Sequence, residues 1–227
     1  MKYFGVSVSN IAISSWEFAI FLGISILIAI FYYVGYRKNI RAIEGVSKSL
    51  EKGLNPEEKE YTWLGGALGF SGNFKVKGLK KISASVFMLP RQSVLYYPFS
   101  LITTGYDRLE TLFFLKEKIG NEVHVIKKAI VPYRMPKIFN AHLLKKEIIK
   151  INKRPFILMY KNNSKDVEAI LSLARVLEPL GIMHIALTPK NSVLYIKLRI
   201  NLKSIDKIEK VMSECIRFVD NKMLKVK

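Results

Sequence analysis

The stretch from Phe18 to Tyr36 reads FAIFLGISILIAIFYYVGY and decides the architecture of the chain. It runs for 19 residues without a charged side chain, which is long enough to cross the hydrocarbon core of a bilayer as a helix. Trp16 flanks one end, and Tyr32 and Tyr33 lie near the other, as in the aromatic belts of membrane helices. We expect a retained transmembrane helix at 18–36, because a cleaved signal peptide has a shorter apolar core and a small-residue cleavage pattern.

Charge on the two sides of this stretch predicts its orientation. Lys2 and Glu17 precede it, whereas three cations follow it closely: Arg37, Lys38 and Arg41. The positive-inside rule therefore predicts that residues 1–17 form a short extracytoplasmic tail and that the rest of the chain is cytoplasmic, beneath a plasma membrane or, in a eukaryote, the endoplasmic reticulum. Within the span, the small residues Gly23 and Ser25 are candidates for the face that a partner helix approaches.

The composition predicts a folded, basic domain. Half of the 227 residues are apolar, which is enough to form a core. The net charge of +19 predicts an anionic partner such as a nucleic acid, the ribosome or acidic lipid headgroups. The alternative is a lysine-rich, solvated surface of the kind that thermophile proteins have. The single cysteine, Cys215, excludes an intramolecular disulfide and is interpreted as a packed core thiol.

Residues 37–56 are predicted to form a basic juxtamembrane helix. Apolar residues recur at three- or four-residue steps, and the opposite face is basic. Such a helix beside a bilayer is expected to contact anionic headgroups or the ribosome through its cations. The candidate contacts here are Arg37, Lys38, Arg41, Lys48 and Lys52.

The remaining residues, 57–227, are predicted to form a cytosolic α+β domain of helices packed on a mixed or antiparallel sheet, with a possible sub-boundary near 132–140. Alternating or continuous apolar runs predict strands at 81–87, 107–115, 123–131, 155–160, 182–187 and 193–200. Helical periodicity predicts a short helix at 93–102, interrupted at Pro98, and helices at 137–151, 166–180 and 204–223. For the third of these, Asn163 or Ser164 is expected as the cap and Gly181 as the end.

Two further groups of lysines are candidate contacts with ribosome or headgroup phosphates. One forms the polar face of the helix predicted at 137–151, and the other lies in the C-terminal tail. Their members are Lys145, Lys146, Lys150, Lys222, Lys225 and Lys227.

The segment Phe87–Phe99, FMLPRQSVLYYPF, contains a polar pair inside an apolar stretch. Because Pro90 favours an extended residue before it and a helix start after it, we expect Arg91 and Gln92 to form a polar junction at an exposed edge. The three apolar residues that follow are expected to pack inward: Val94, Leu95 and Phe99. Farther upstream, four apolar residues are expected to face either the bilayer surface or the core: Trp63, Leu64, Leu68 and Phe70.

Catalytic chemistry is not indicated by the sequence. His124, His142 and His184 do not form a zinc-binding motif, and the first and third are expected to be hydrogen-bonded strand residues. Nucleophile-elbow and phosphate-loop patterns are not found, and the carboxylates are scattered among lysines. We therefore expect a protein that is not an enzyme and that has no metal site and no cofactor.

The order of elements resembles that of the calumin family, the large subunit of the PAT membrane-protein chaperone complex. Shared features include Ser71-Gly72, then Gly78-Leu79 before a strand, and Arg91-Gln92 at a helix start. A strand near Asp107 follows, and the segment VLYIKLRINLKSIDKIEKVMSECIRFVD, residues 193–220, is similar to the closing strand and helix of that family. The resemblance extends over roughly residues 18–225, and it rests on the order of the elements more than on a single motif.

The resemblance implies a non-enzymatic factor that assists membrane-protein insertion or chaperoning beside a Sec-type translocon. Family members face the ribosome with the cytosolic domain and bind a small three-helix membrane protein called Asterix. The acidic lumenal region and the long basic coiled coil of the family have no counterpart among these residues, so calcium binding is not carried over. A short archaeal relative is implied. The alternative is a membrane-anchored scaffold that binds anionic lipid or another membrane complex, unrelated to insertion.

Overall fold

The computed structural model describes residues 15–129, 135–162 and 165–224, without the side chains of 222–224. It begins with α1, one continuous helix over Ser15–Leu54. Residues 15–34 of α1, here called the exposed half, leave every side chain exposed. Residues 35–54, here called the stem, bury one face, which is formed by Gly35, Asn39, Ala42, Ile43, Val46, Ser49, Leu50, Gly53 and Leu54.

The sheet has nine strands in the described part of the chain. They are β1 (Glu58–Trp63), β2 (Gly69–Lys75), β3 (Lys81–Phe87), β4 (Arg108–Phe114), β5 (Val123–Lys127), β6 (Lys145–Ile151), β7 (Arg154–Tyr160), β8 (Ile182–Thr188) and β9 (Val193–Arg199). Their order across the sheet is β1-β2-β3-β4-β9-β8-β5-β7-β6, and every neighbouring pair is antiparallel. The α+β class is thus confirmed, with an antiparallel rather than a mixed sheet.

Three further helices are α2 (Tyr96–Thr103), α3 (Lys165–Leu177) and α4 (Lys207–Leu224), and short 3-10 turns occupy Ala141–Leu143 and Glu178–Leu180. The stem packs against α4, and α3 packs against α4, β5 and β8. These helices cover one face of the sheet and enclose the main core, which includes Cys215. At Gly53 a Cβ atom would lie 2.5 Å from the carbonyl oxygen of Glu209, so the stem and α4 touch at backbone distance.

Most of the predicted elements are confirmed. Strands were expected near the positions of β3, β4, β5, β7, β8 and β9, and helices near those of α3 and α4. Gly181 ends the α3 region as expected, with a left-handed φ of 99° that suits glycine. The buried thiol of Cys215 is also as predicted.

The helix predicted over 137–151 is wrong, since residues 145–151 form the edge strand β6. A two-residue loop pairs β6 with β7: Asn152 and Lys153 both have positive φ, at 47° and 69°, as a tight hairpin requires. The three lysines proposed as one helical face are therefore divided. Lys146 and Lys150 lie on one face of the sheet, and Lys145 lies on the other.

The helix predicted at 37–56 is present over residues 37–54 as the continuation of α1, and its buried face makes it the stem in the core. Strands on both sides of the sub-boundary near 132–140 pair in one sheet, since β5 lies between β7 and β8. Several predicted residues lie outside the described part of the chain: the caps Asn163 and Ser164, the side chain of Lys222, and Lys225 and Lys227.

Candidate functional site

One end of the sheet, here called the proximal end, meets the start of the stem. The antiparallel alternation brings to this end the β1–β2 turn, the β3–β4 connection with α2, and the ends of β5 and β9. At Gly35 a Cβ atom would lie 2.2 Å from the carbonyl oxygen of Arg91, so only glycine allows this approach. The proximal end is therefore level with residues 35–39, directly after the apolar stretch of α1.

A buried polar node ties the stem to this end. Asn39 donates from Nδ2 to the carbonyl oxygens of Ala67 and Leu89, each at 2.8 Å, and its Oδ1 accepts from Nη1 of Arg91 at 2.9 Å. Arg91 also binds Asp107 in a bidentate pair, with Nη1–Oδ1 at 2.9 Å and Nη2–Oδ2 at 2.6 Å. Removing one member of such a pair leaves an uncompensated charge, which makes the node a strong positional constraint.

This geometry corrects the expectation of an exposed Arg91–Gln92 junction. The side chain of Arg91 is only 11% exposed and that of Asp107 only 3% exposed. Gln92 is half-buried, with its Oε1 at 3.3 Å from Nδ2 of Asn39. The pair is structural, and it fixes the β3–α2 connection against the stem.

Apolar side chains project outward on both sides of this node. No residue of α2 is buried, and Pro98 lies within this helix without interrupting it. The predicted inward packing of Val94, Leu95 and Phe99 is wrong, because all three are exposed, Leu95 by 84%. The end of β1 and the turn after it expose Trp63, Leu64 and Leu68, whereas Phe70 in β2 is buried. We call the exposed set the apolar rim: Trp63, Leu64, Leu68, Leu95, Tyr96, Phe99 and Ile102.

A basic groove of about 1010 Å³ opens beside the rim at the same end of the sheet. Nine cationic side chains line it: Lys38, Arg91, Lys127, Lys128, Arg154, Lys197, Arg199, Lys203 and Lys207. Asp107 is the carboxylate in its lining, and Arg91 already binds both of its oxygens. Burial, together with repulsion from Arg154, lowers the pKa of Lys127. The groove thus concentrates positive charge with little internal compensation.

A second cleft of about 630 Å³ runs between α1 and the segment before α4. Tyr33 and Val34 line it from the exposed half, and Ile205 lines it from the other side. Two of its lining residues, Lys38 and Leu202, also line the basic groove. The two clefts therefore meet at Lys38.

On the sheet face opposite the helices, two buried histidines form a chain with a carboxylate. Nδ1 of His124 lies 3.2 Å from Nε2 of His184, and Nε2 of His124 lies 3.0 Å from Oε1 of Glu122. Burial and the neighbouring His124 lower the pKa of His184 to about 3, so His184 is neutral at ordinary pH. The prediction of hydrogen-bonded strand histidines is confirmed for this pair, and His142 lies exposed in a 3-10 turn.

The other predicted contact residues lie apart. Gly23 and Ser25 are exposed on α1, with Oγ of Ser25 donating to the carbonyl oxygen of Phe21 at 2.8 Å. At 1.5 Å per residue, Lys48 and Lys52 lie about 18 and 24 Å beyond Tyr36 along the helix axis, away from the proximal end. Of the predicted cations, Lys38 lines both clefts, and Arg37 and Arg41 line the smaller one. The other groove cations come from distant parts of the sequence, and no local pattern indicates them.

α1 is long and apolar enough to cross a membrane, and its apolar window is almost wholly exposed on the protein. Groups of three or more metal-ligating side chains do not occur in the described ranges. No protein-family model matches the sequence, and no characterised protein matches it significantly. The function therefore has to be argued from the geometry of the proximal end.

Proposed function

We propose that α1 crosses the plasma membrane once, with the N-terminus outside, and that the basic domain assists membrane-protein insertion beside a Sec-type translocon. The observation that carries this proposal is the apolar rim, which lies level with the end of the apolar stretch of α1. Large contiguous apolar patches on soluble proteins mark contact with membranes or other proteins. In the proposal the rim rests in the bilayer interface and offers an apolar surface to inserting helices.

The rim suits an interfacial position. Short helices with exposed Leu, Phe and Tyr lie in the plane of the headgroups, and Trp63 and Tyr96 prefer that depth. Because the node holds Arg91 against Asn39 and Asp107, the rim cannot swing away from the stem without breaking a buried ion pair. The domain is thus held against the surface from which α1 emerges.

The opposite, distal end of the sheet supports a ribosome-facing role. The turns there expose eight lysines, which are Lys77, Lys80, Lys81, Lys116, Lys118, Lys161, Lys165 and Lys190. Lysine clusters bind the phosphates of nucleic acids without regard to sequence. In the proposed orientation these lysines point into the cytoplasm, where a translating ribosome docks on a translocon. The resemblance to the calumin family supports the same arrangement.

Affinity purification of the full chain in mild detergent tests the proposal. We expect translocon subunits, ribosomal proteins and a small three-helix membrane protein of the Asterix kind to be recovered together. A variant with Lys116, Lys118 and Lys190 changed to Glu should lose the ribosomal proteins at high salt and retain the translocon. The matched control changes three exposed lysines outside the distal end, Lys137, Lys150 and Lys153, to Glu and should retain both. Recovery of neither complex with the unaltered chain would overturn the proposal.

The basic groove favours a second candidate, a membrane-anchored scaffold that binds anionic lipid without a role in insertion. The two functions separate in nanodiscs that contain the full chain. If the protein works at the translocon, ribosomes should sediment these nanodiscs whether the lipid is neutral or anionic. If it is a lipid-binding scaffold, ribosomes should leave them in the supernatant.

A further inference from the structure

We propose that the basic groove and the smaller cleft form one binding site for an anionic membrane lipid, with its phosphate in the groove and an acyl chain along α1. The inference rests on the membrane orientation given under the proposed function. It adds a specific ligand and a specific site, both independent of any translocon.

The charges of the groove are not neutralised within the protein. The three carboxylates nearest its cations are already engaged: Asp107 binds Arg91, Glu178 lies 2.8 Å from Arg154, and Glu110 lies 3.3 Å from Lys197. The other groove cations have no ion-pair partner in the described ranges, and these are Lys38, Lys127, Lys128, Arg199, Lys203 and Lys207. Six such cations around one concavity repel one another, and a bound anion relieves that repulsion.

Partial burial strengthens this argument at the centre of the groove. Lys127 is half-buried at the end of β5, where desolvation and the nearby Arg154 and Arg199 disfavour its ammonium form and Glu178 only partly offsets them. A phosphate within contact distance favours the charged form and gains a charge-assisted hydrogen bond. Arginine adds planar, bidentate recognition, for which Arg199 at the end of β9 is placed.

The smaller cleft favours a lipid over a soluble anion or a nucleic acid. It begins at Tyr33 and Val34, inside the proposed span, and reaches Lys38, where it joins the groove. Its walls are thus apolar at membrane depth and cationic at headgroup depth. A phospholipid has the same polarity along its length, whereas a nucleic acid has no chain for the apolar part. The volume of the groove is in the range of ordinary ligand sites.

The chemistry also predicts headgroup preference. A zwitterionic headgroup brings its own cation into the groove, where it meets six unpaired positive charges. Phosphatidic acid, with a terminal phosphate and no cation, should therefore bind best among common phospholipids, and phosphatidylcholine should bind worst.

Calorimetric titration tests the site. Short-chain lipids are added to the detergent-solubilised full chain, and the heat of binding is measured. We expect saturable binding of phosphatidic acid, at least tenfold weaker binding of inorganic phosphate, and no saturable binding of phosphatidylcholine. Changing Lys127 and Arg199 to Gln should weaken the binding of phosphatidic acid at least tenfold. The matched control changes Lys145 and Lys146 to Gln, which removes the same charge from the edge strand, and should keep the affinity within twofold.

Three results would overturn the inference: equal affinity for inorganic phosphate and phosphatidic acid, equal weakening by the control variant, or a short RNA that binds the groove more tightly than the lipid. Thermal unfolding of each variant in the same detergent identifies a folding defect. If the variant of Lys127 and Arg199 has such a defect, it is replaced by the pair Lys203→Gln and Lys207→Gln. Both of these lysines are exposed, one before α4 and one at its start. Because the titration contains neither translocon nor ribosome, its failure is distinguishable from failure of the purification experiment.

Discussion

The exposed half of α1 buries none of its residues against the protein, whereas the stem buries nine, although both belong to one uninterrupted helix. Apart from Glu17 in its first turn, the exposed half has no charged side chain, whereas the stem is apolar on one side only. The stem also has glycine at Gly35 and Gly53, where other backbone segments come closest. One continuous helix thus has a part that the domain covers and a part that it leaves uncovered, and the two parts meet at the level of the node.

The largest effect is expected at the node, where the two halves meet. Replacing Asp107 by Asn leaves Arg91 partly buried without its counter-charge and weakens the hydrogen bond that the carboxylate accepts from the backbone N–H of Leu89. We expect a loss of about 3–5 kcal/mol in the free energy of unfolding of the domain, measured by urea denaturation in detergent. In the proposed orientation, insertion of the exposed half into the membrane should be unaffected.

A matched control is the exposed pair of Lys75 and Glu58 on β2 and β1. Glu58→Gln should leave the unfolding curve unchanged, since exposed ion pairs contribute little. If Asp107→Asn behaved like this control, the node would not be what joins the stem to the domain.

A second test compares equivalent leucines of the two halves. Leu50 is 0% exposed in the stem, whereas Leu27 is 67% exposed. Leu50→Ala should lower the free energy of unfolding by about 3 kcal/mol, because it leaves a cavity in the core. Leu27→Ala should leave the domain unchanged. The rate at which a thiol reagent labels the buried Cys215 on α4 reports the opening of the domain in both variants, and similar rates would contradict the division of α1.

The third test compares two glycines of the same helix. A Cβ atom at Gly35 collides with the backbone of Arg91, whereas at Gly23 nothing lies within 4 Å. Gly35→Ala should destabilise the domain by about 2 kcal/mol through overpacking. Gly23→Ala should not destabilise it, so a loss at Gly23 would mean that the exposed half has a partner surface within the domain.

The smallest effect involves pH and the far face of the sheet. His184 is neutral when folded, with its pKa lowered to about 3, but the unfolded chain takes up a proton below about pH 6.5. The stability that this histidine contributes is therefore complete above pH 6.5 and declines as the pH falls toward 3. At pH 5.5 the loss should be about 1.4 kcal/mol relative to pH 8.

Urea denaturation at the two pH values measures this loss, and His184→Gln should remove most of the difference between them. Because the stem belongs to the same core as the sheet, acid should release the stem together with the strands. An unchanged pH dependence in His184→Gln would assign the effect to other groups.

Regular periodicity explains which elements the sequence could predict. Alternation in 81–87 and 193–200 and the helical stripe near Cys215 each match one period, and the strands and the helix formed there. The segment at 145–151 forms a strand although its isoleucines and lysines recur at helical spacing. It does so because the tight loop at Asn152 and Lys153 turns the chain back, so that this segment pairs with β7.

The site was less accessible to prediction, for two physical reasons. Apolar residues such as Leu95 and Phe99 are expected in the core but lie exposed, because a sequence pattern shows that a residue is apolar and not what covers it. The node joins Asn39, Arg91 and Asp107 across 16 to 52 residues of sequence, and no local spacing indicates it. The groove is equally hard to predict from local patterns, because its cations are spread along the chain from Lys38 to Lys207.

The continuity of α1 has a mechanical consequence. The stem continues the axis of the exposed half without a kink-forming proline, so the 40-residue helix acts as a stiff lever. With 20 residues at 1.5 Å each, the stem is about 30 Å long, and tilting the helix by about 10° moves its far end by about 5 Å. In the proposed membrane orientation, a change in bilayer thickness that tilts the helix is transmitted to the distal lysines as a displacement of the whole domain.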